Sequence, residues 1–160
     1  MRIATLATLV LLLAAPAVAQ DAPPPECFGE TPTIFGTPES DVIEGTDGPD
    51  VIYGDDGDDM IRGLGGDDKV CGGDEDPYDG DGFSGDELYG GPGLDQVDGG
   101  YGNDLVQGDD GGDVLLGGDG YDRLDGGEGD DTLEGGNDPD PLTGGPGDDV
   151  IRGGVRGGDG

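Results

Sequence analysis

The stretch GGEGDDTLEGGNDPDPLTGGPGDDVIR, residues 126–152, decides the fold of this chain. It divides into three nine-residue units, each of which opens with two glycines, carries aspartate at the sixth place and has an aliphatic residue at the eighth. The same phase runs back without a slip to Gly36, which gives thirteen units between Gly36 and Arg152. A short fixed period of this kind indicates a stacked repeat fold.

The constancy of this register argues against disorder. Composition alone would also suit a disordered acidic chain, because 39 of the 160 residues are glycine, 31% are hydrophobic and the formal net charge is -33. However, the sixth place is aspartate in twelve of the thirteen units, the eighth place is aliphatic in twelve, and one unit is the exception to both. We therefore predict a single all-β repeat domain.

Each unit reads as a glycine-rich turn of six residues followed by a three-residue strand. Only the middle side chain of such a strand points inward, because side chains alternate across a strand. Glycine at the first, second and fourth places frees the backbone, so that main-chain carbonyls can converge on a ligand. The sixth-place aspartate adds a carboxylate, and a site of oxygen ligands alone favours a hard cation, with calcium a better fit than magnesium.

The candidate metal ligands follow from these places. The carboxylates are those of Asp41, Asp50, Asp59, Asp68, Asp86, Asp95, Asp104, Asp113, Asp122, Asp131, Asp140 and Asp149. The carbonyls are those near the fourth-place glycines Gly48, Gly57, Gly66, Gly93, Gly102, Gly111, Gly120, Gly129 and Gly147.

Units such as GGYGNDLVQ (99–107), GGDGYDRLD (117–125) and GGEGDDTLE (126–134) resemble the nonapeptide G-G-x-G-x-D-x-U-x of the repeats-in-toxin (RTX), or hemolysin-type, calcium-binding family. The resemblance covers residues 36–152. It implies a parallel β-roll, a β-solenoid with two nonapeptides per coil, like the C-terminal domain of serralysin-type proteases. Multiple Ca²⁺ ions would lie between turns stacked on the same edge. Odd and even units would then form opposite edges.

Stacked turns would lie two units apart, such as Asp95 with Asp113 and Asp104 with Asp122. The degenerate segment 72–85 departs from this pattern: Pro77 stands where aspartate belongs and Asp79 where an aliphatic residue belongs. We expect a bulged loop there that interrupts the ladder.

The N-terminal sequence predicts export. Residues 1–19, with Arg2, an apolar run and Ala-Val-Ala before a polar stretch, are typical of a secretory signal peptide. The alternative is a membrane anchor, which Pro16 and the shortness of the apolar run disfavour. We expect a secreted, extracellular protein, with the periplasm or cell surface as other destinations, and no transmembrane segment after cleavage.

The remaining segments are an N-terminal arm and a C-terminal tail. The arm, residues 20–35, keeps Ile34 in the aliphatic phase without an aspartate, which predicts a metal-free capping strand; the tail covers residues 153–160. Cys27 and Cys71 favour one disulfide bond in an exported chain, because two cysteines without histidine cannot complete a four-ligand zinc site.

These observations predict a secreted calcium-binding protein that folds on binding several Ca²⁺ ions, since its core is thin and its aspartates are crowded. We expect no enzymatic activity: the chain has no histidine, and metal ligation accounts for its recurring carboxylate pairs. The alternative is a calcium-dependent adhesin or a matrix or cell-surface structural protein, which uses the outer face of the roll to bind extracellular polysaccharide or a cell surface. The net charge of -33 opposes binding to nucleic acid.

Overall fold

The computed structural model describes residues 25–73 and 85–154. In these two ranges the chain forms a parallel β-solenoid of about six turns without any helix, and hence without a helix long and apolar enough to cross a membrane. The strands are β1 (Ile34–Phe35), β2 (Val42–Glu44), β3 (Val51–Asp55), β4 (Met60–Arg62), β5 (Lys69–Gly73), β6 (Glu87–Tyr89), β7 (Gln96–Tyr101), β8 (Leu105–Asp110), β9 (Val114–Asp119), β10 (Arg123–Glu128), β11 (Thr132–Asn137), β12 (Leu142–Thr143) and β13 (Val150–Arg152).

The strands alternate between two sheets. The seven-stranded sheet has the order β1-β3-β5-β7-β9-β11-β13, and the six-stranded sheet has the order β12-β10-β8-β6-β4-β2. Neighbouring strands run parallel and keep the repeat phase, so that Val114 of β9 lies opposite Thr132 of β11. Each turn therefore connects a strand of one sheet to a strand of the other. The turns form two stacks, one on each edge of the solenoid.

The core is a single file of eighth-place side chains between the two sheets. Its buried members are Ile43, Ile52, Ile61, Val70, Leu88, Val97, Val106, Leu115, Leu124 and Leu133. Ile34 and Leu142 are partly buried and pack against this file near its two ends. Ile151, in the last strand, is 47% exposed, because no further coil covers it within the described residues.

The ladder continues across the degenerate segment 72–85, and the prediction that it would be interrupted was wrong. Residues 74–84, where the bulged loop was expected, lie outside the described residues. β4 pairs directly with β6, placing Ile61 opposite Leu88, and β5 pairs directly with β7. Partners on either side of the segment are 27 residues apart instead of 18, an excess of nine residues, while Gly72 and Gly73 of the degenerate unit still belong to β5. Because nine residues are one full repeat, this excess leaves every later residue in phase.

The same excess of nine residues corrects the assignment of units to edges. Before residue 74 the odd units enter the six-stranded sheet, and after residue 84 the even units do. Odd and even units therefore occupy opposite edges only within each block, and Asp59 has Asp86 as its neighbour in the stack.

The N-terminal arm is fixed to the early coils. Cys27 and Cys71 form a disulfide bond with a Cα–Cα distance of 5.8 Å, and both side chains are buried. Lys69 Nζ lies 2.6 Å from Glu30 Oε1. β1 of the arm pairs with β3, so Ile34 lies opposite Ile52 at the end of the seven-stranded sheet. The signal peptide predicted at 1–19 and the end of the tail, 155–160, lie outside the described residues.

Candidate metal centre

The twelve sixth-place aspartates form two columns, one on each edge of the solenoid. The Asp50 column contains Asp50, Asp68, Asp95, Asp113, Asp131 and Asp149. The Asp41 column contains Asp41, Asp59, Asp86, Asp104, Asp122 and Asp140. Asp95 and Asp113 are thus neighbours in one column, as are Asp104 and Asp122 in the other.

In every turn after the first of each column, one oxygen of the carboxylate joins its turn to the preceding one. The main-chain N–H of Asp95 donates to Asp113 Oδ1 at 2.9 Å, and the N–H of Asp113 donates to Asp131 Oδ1 at 2.8 Å. The same bond recurs along both columns. The sequence pattern did not indicate this role, because a single conserved place in a repeat does not tell which atom of its side chain is used.

The second carboxylate oxygen, Oδ2, is turned away from solvent in most turns. Eight of the aspartates are at most 3% exposed: Asp59, Asp68, Asp86, Asp95, Asp104, Asp113, Asp122 and Asp131. The Oδ2 atoms without a hydrogen-bond donor include those of Asp59, Asp68, Asp95, Asp113, Asp122, Asp131 and Asp140. A buried carboxylate oxygen that lacks a donor costs free energy, which a bound cation would offset.

Main-chain oxygens approach the same place. A Cβ built on Gly108 would overlap both Asp113 Oδ2 and the carbonyl oxygen of Gly126, the first-place glycine of the next turn. Gly117 stands in the same relation to Asp122 Oδ2 and Gly135 O. A carboxylate and a carbonyl oxygen therefore converge beside a Cα that has no side chain. These first-place carbonyls were not among the predicted ligands, although the first-place glycine itself was a visible signal.

The fourth-place glycines proposed as carbonyl ligands stack on the same two edges. A Cβ on Gly111 would overlap Gly93 O, one on Gly129 would overlap Gly111 O, and one on Gly147 would overlap Gly129 O. The row on the Asp50 column comprises Gly48, Gly66, Gly93, Gly111, Gly129 and Gly147, and the Asp41 column has Gly57, Gly102 and Gly120. Each edge thus carries a file of carbonyls beside its file of carboxylates.

The donor set consists of oxygen. Within 25–73 and 85–154 there is no group of three or more histidine, cysteine, aspartate or glutamate side chains that could hold a metal. Carboxylates alone therefore do not form a closed site, and a bound ion would take much of its coordination from main-chain carbonyls. Calcium accepts six to eight oxygens, carbonyls included, in flexible geometry, so the residues present fit it.

Burial changes the acidity of these carboxyl groups. Removal from water raises the pKa of Asp95 from 3.8 to about 7 and that of Asp59, Asp113 and Asp122 to about 6. The hydrogen bond from the preceding aspartate's N–H opposes the increase, and neighbouring carboxylates in the column add to it. Burial likewise raises the pKa of Asp68 and Asp131. The metal-free fold therefore favours protonated carboxyls, and a cation at Oδ2 would reverse this preference.

The first turn of each column has a different arrangement. Asp41 Oδ2 accepts hydrogen bonds from the main-chain N–H of Thr37 at 2.7 Å and from its Oγ1 at 2.8 Å. Asp50 Oδ2 accepts the equivalent bonds from Thr46, at 2.6 Å and 2.9 Å. The prediction treated all twelve aspartates as equivalent ligands. Threonine in place of glycine at the second place of these two units was the signal that distinguishes them.

Fold and site together define a parallel β-solenoid with acidic, glycine-rich turns stacked along both edges. The family model of the RTX calcium-binding nonapeptide repeat matches the chain in four copies, at residues 35–74, 81–115, 107–140 and 125–160. The chain belongs to this family. Comparison with curated proteins and with solved structures gave no significant match.

Proposed function

We propose that this chain is a secreted calcium-binding protein whose roll, with two nonapeptides in each coil, folds when several Ca²⁺ ions bind between stacked turns. The observation that carries the proposal is the pair of columns of buried aspartates, in which Oδ2 atoms such as that of Asp113 have no donor. Membership of the RTX repeat family supports calcium as the ion. The 18-residue spacing of hydrogen-bonded aspartates supports two nonapeptides per coil.

The chain's own residues prepare each turn for the ion. Asp113 Oδ1 accepts the N–H of Asp95 and so fixes the carboxylate, while Oδ2 and the carbonyl oxygen of Gly126 both lie beside the Cα of Gly108. The first-place glycine leaves room for these oxygens, and Leu115, two residues after the aspartate, anchors the strand in the core. Calcium supplies the positive charge that compensates the buried carboxylate.

Calcium binding and folding should be one event. The core is one file of aliphatic side chains, and the formal net charge of the chain is -33. Each ion removes repulsion within a column and joins two turns, so the free energy of binding becomes free energy of folding. Extracellular modules commonly bind calcium at about 10⁻⁴ to 10⁻³ M, near the concentration outside cells. This range supports secretion before folding.

Calcium titration of the chain from residue 20 onward tests the proposal. We expect circular dichroism to show loss of β structure in chelator and its recovery in calcium, with a much weaker response to an equal concentration of magnesium. Calorimetry of the same titration should show several ions per chain. A β signal that is unchanged after chelation would contradict the coupling of folding to calcium.

The alternative is an adhesive or structural role at a cell surface or in a matrix. It is favoured by Tyr101 and Tyr121, which are 51% and 58% exposed and belong to neighbouring turns of one edge, where the N–H of Tyr121 donates to Asn103 Oδ1. Exposed aromatic rings offer an apolar face to a sugar. Retention on insoluble cell-wall polysaccharide with calcium, and its loss in the Y101A/Y121A variant, would support this role. In either role we propose no catalytic activity.

A further inference from the structure

We infer that Thr37 and Thr46 replace calcium in the first turn of each column, so that the roll has two metal-free turns at its N-terminal end and eight calcium turns beyond them. This inference rests on the proposed function. We call residues 36–41 and 45–50 the closed turns.

The hydrogen bonds of the closed turns occupy the carboxylate oxygen that lacks a donor in turns such as those of Asp68, Asp95 and Asp113. Thr37 directs both its N–H and its Oγ1 to Asp41 Oδ2, and Thr46 does the same to Asp50 Oδ2. Two donors to one carboxylate oxygen satisfy it without a cation. An ion at this place would have to displace both bonds.

The backbone distinguishes the closed turns from the others. The second-place residue has a left-handed φ even where it is not glycine, with +87° at Asp55, +83° at Leu64 and +74° at Asp109. Thr37 and Thr46 are not among the positive-φ residues of the described chain. Threonine is β-branched and disfavours positive φ, so its presence selects the alternative turn.

This difference in φ redirects one N–H group. In open turns the second-place N–H can donate to the first-place carbonyl of the next turn, as Gly91 N does to Gly108 O and Gly127 N to Gly144 O, each at 3.1 Å. In the closed turns it donates to the aspartate of its own turn. Sequence and backbone therefore agree on two classes of turn.

Other contacts at this end are also independent of calcium. The Cys27–Cys71 disulfide spans 44 residues and encloses both closed turns, and Lys69 pairs with Glu30. The N-terminal coils are thus held together by a covalent bond and by hydrogen bonds, whereas the stacking of the later coils depends on the ion. We infer that they form a metal-independent end on which calcium-bound coils stack.

The number of bound ions tests the inference. Eight sixth-place aspartates are buried. Asp41 and Asp50 are also followed by a stacked turn, so the number of sites would be ten if these two turns bound calcium as well. We expect calorimetry, and metal analysis after equilibrium dialysis against saturating calcium, to give eight ions for the unmodified chain. Ten ions would overturn the inference, whereas no calcium binding would overturn the proposed function itself.

Substitutions assign the count to particular turns. T37G/T46G should add two ions, because glycine restores the open turn and frees Asp41 and Asp50. The matched control L64G, at the second place of a turn that is already open, should leave the count unchanged. A count that does not increase in T37G/T46G would contradict the role of the threonines.

A second pair of variants keeps the test valid if T37G/T46G does not fold. D41N/D50N retains an acceptor for each threonine and should bind as many ions as the unmodified chain. D113N/D122N, one substitution in each column, should bind two fewer. Equal losses in the two double variants would mean that the closed turns also bind calcium.

Discussion

Replacing Asp113 by asparagine should change stability in opposite directions with and without calcium. The amide oxygen can still accept the N–H of Asp95 in place of Oδ1, and the amide NH₂ would then take the place of Oδ2 beside the Cα of Gly108, where Gly126 O also lies as an acceptor. The hydrogen-bond ladder therefore survives. The substitution removes the negative charge that a cation needs and that the metal-free fold must bury.

The two magnitudes can be estimated separately. Burial raises the pKa of Asp113 from 3.8 to about 6, which at about 1.4 kcal/mol per pKa unit corresponds to a cost of about 3 kcal/mol for the ionised group in the metal-free fold. Asparagine avoids this cost. In calcium, loss of one ion removes about 4.1 kcal/mol when the free concentration is about 1,000 times the dissociation constant, which exceeds the cost that asparagine avoids and leaves D113N less stable by about 1 kcal/mol.

The free energy of unfolding in the two conditions is the measurement. Urea denaturation in saturating calcium should show D113N to be less stable than the unmodified chain. In chelator, where trimethylamine N-oxide is added to induce folding, D113N should be more stable than the unmodified chain. D110N is the matched control, because Asp110 is an exposed residue of the same turn and the charge change is identical; we expect about 0.5 kcal/mol or less in either condition. Destabilisation of D113N by the same amount in both conditions would refute the assignment of Oδ2 to the ion.

Three further predictions concern pH, glycine and the disulfide. In chelator, stability of the fold should increase as pH falls from about 7 toward 4, because carboxyls such as Asp95 have raised pKa values in the fold and protonation therefore favours the folded state. Circular dichroism should show a gain of β structure on acidification, and the calcium concentration at the midpoint of folding should rise. G108A should destabilise the calcium-bound fold by about 1–3 kcal/mol, since a Cβ would overlap Asp113 Oδ2 and Gly126 O, whereas G65A, at the third place of an earlier turn, would bring its Cβ no closer than 3.9 Å to any atom beyond its chain neighbours and should have almost no effect on the thermal midpoint. Reduction of the Cys27–Cys71 bond, which spans 44 residues, should lower unfolding free energy by about 4 kcal/mol, and an unchanged midpoint in reductant would contradict its contribution.

Much of this fold was predictable because the repeat specifies it locally. An inward aliphatic residue every nine positions determines the file that runs from Ile43 to Leu133, and the two units per coil that the family resemblance implies predict that Asp95 and Asp113 become neighbours. These features depend on side-chain alternation and on phase, which a sequence displays directly.

Other features depend on atoms that the repeat does not specify. Asp113 Oδ1 accepts a hydrogen bond while Oδ2 has no donor, and this difference arises only when two turns stack at a particular distance. The closed turn at Thr37 depends on a backbone φ, and the exposure of Ile151 depends on what covers the last coil. The direct pairing of β4 with β6 was missed because the sequence does not show whether nine additional residues interrupt the pairing of the strands or leave it intact.

Those nine additional residues have a consequence for how such a chain can change in length. They move all the later units to the opposite sheet, yet Leu88 and Val97 occupy the same file as Ile61 and Val70. The units are therefore interchangeable between the two sheets, and the chain can gain or lose nonapeptides one at a time rather than in pairs.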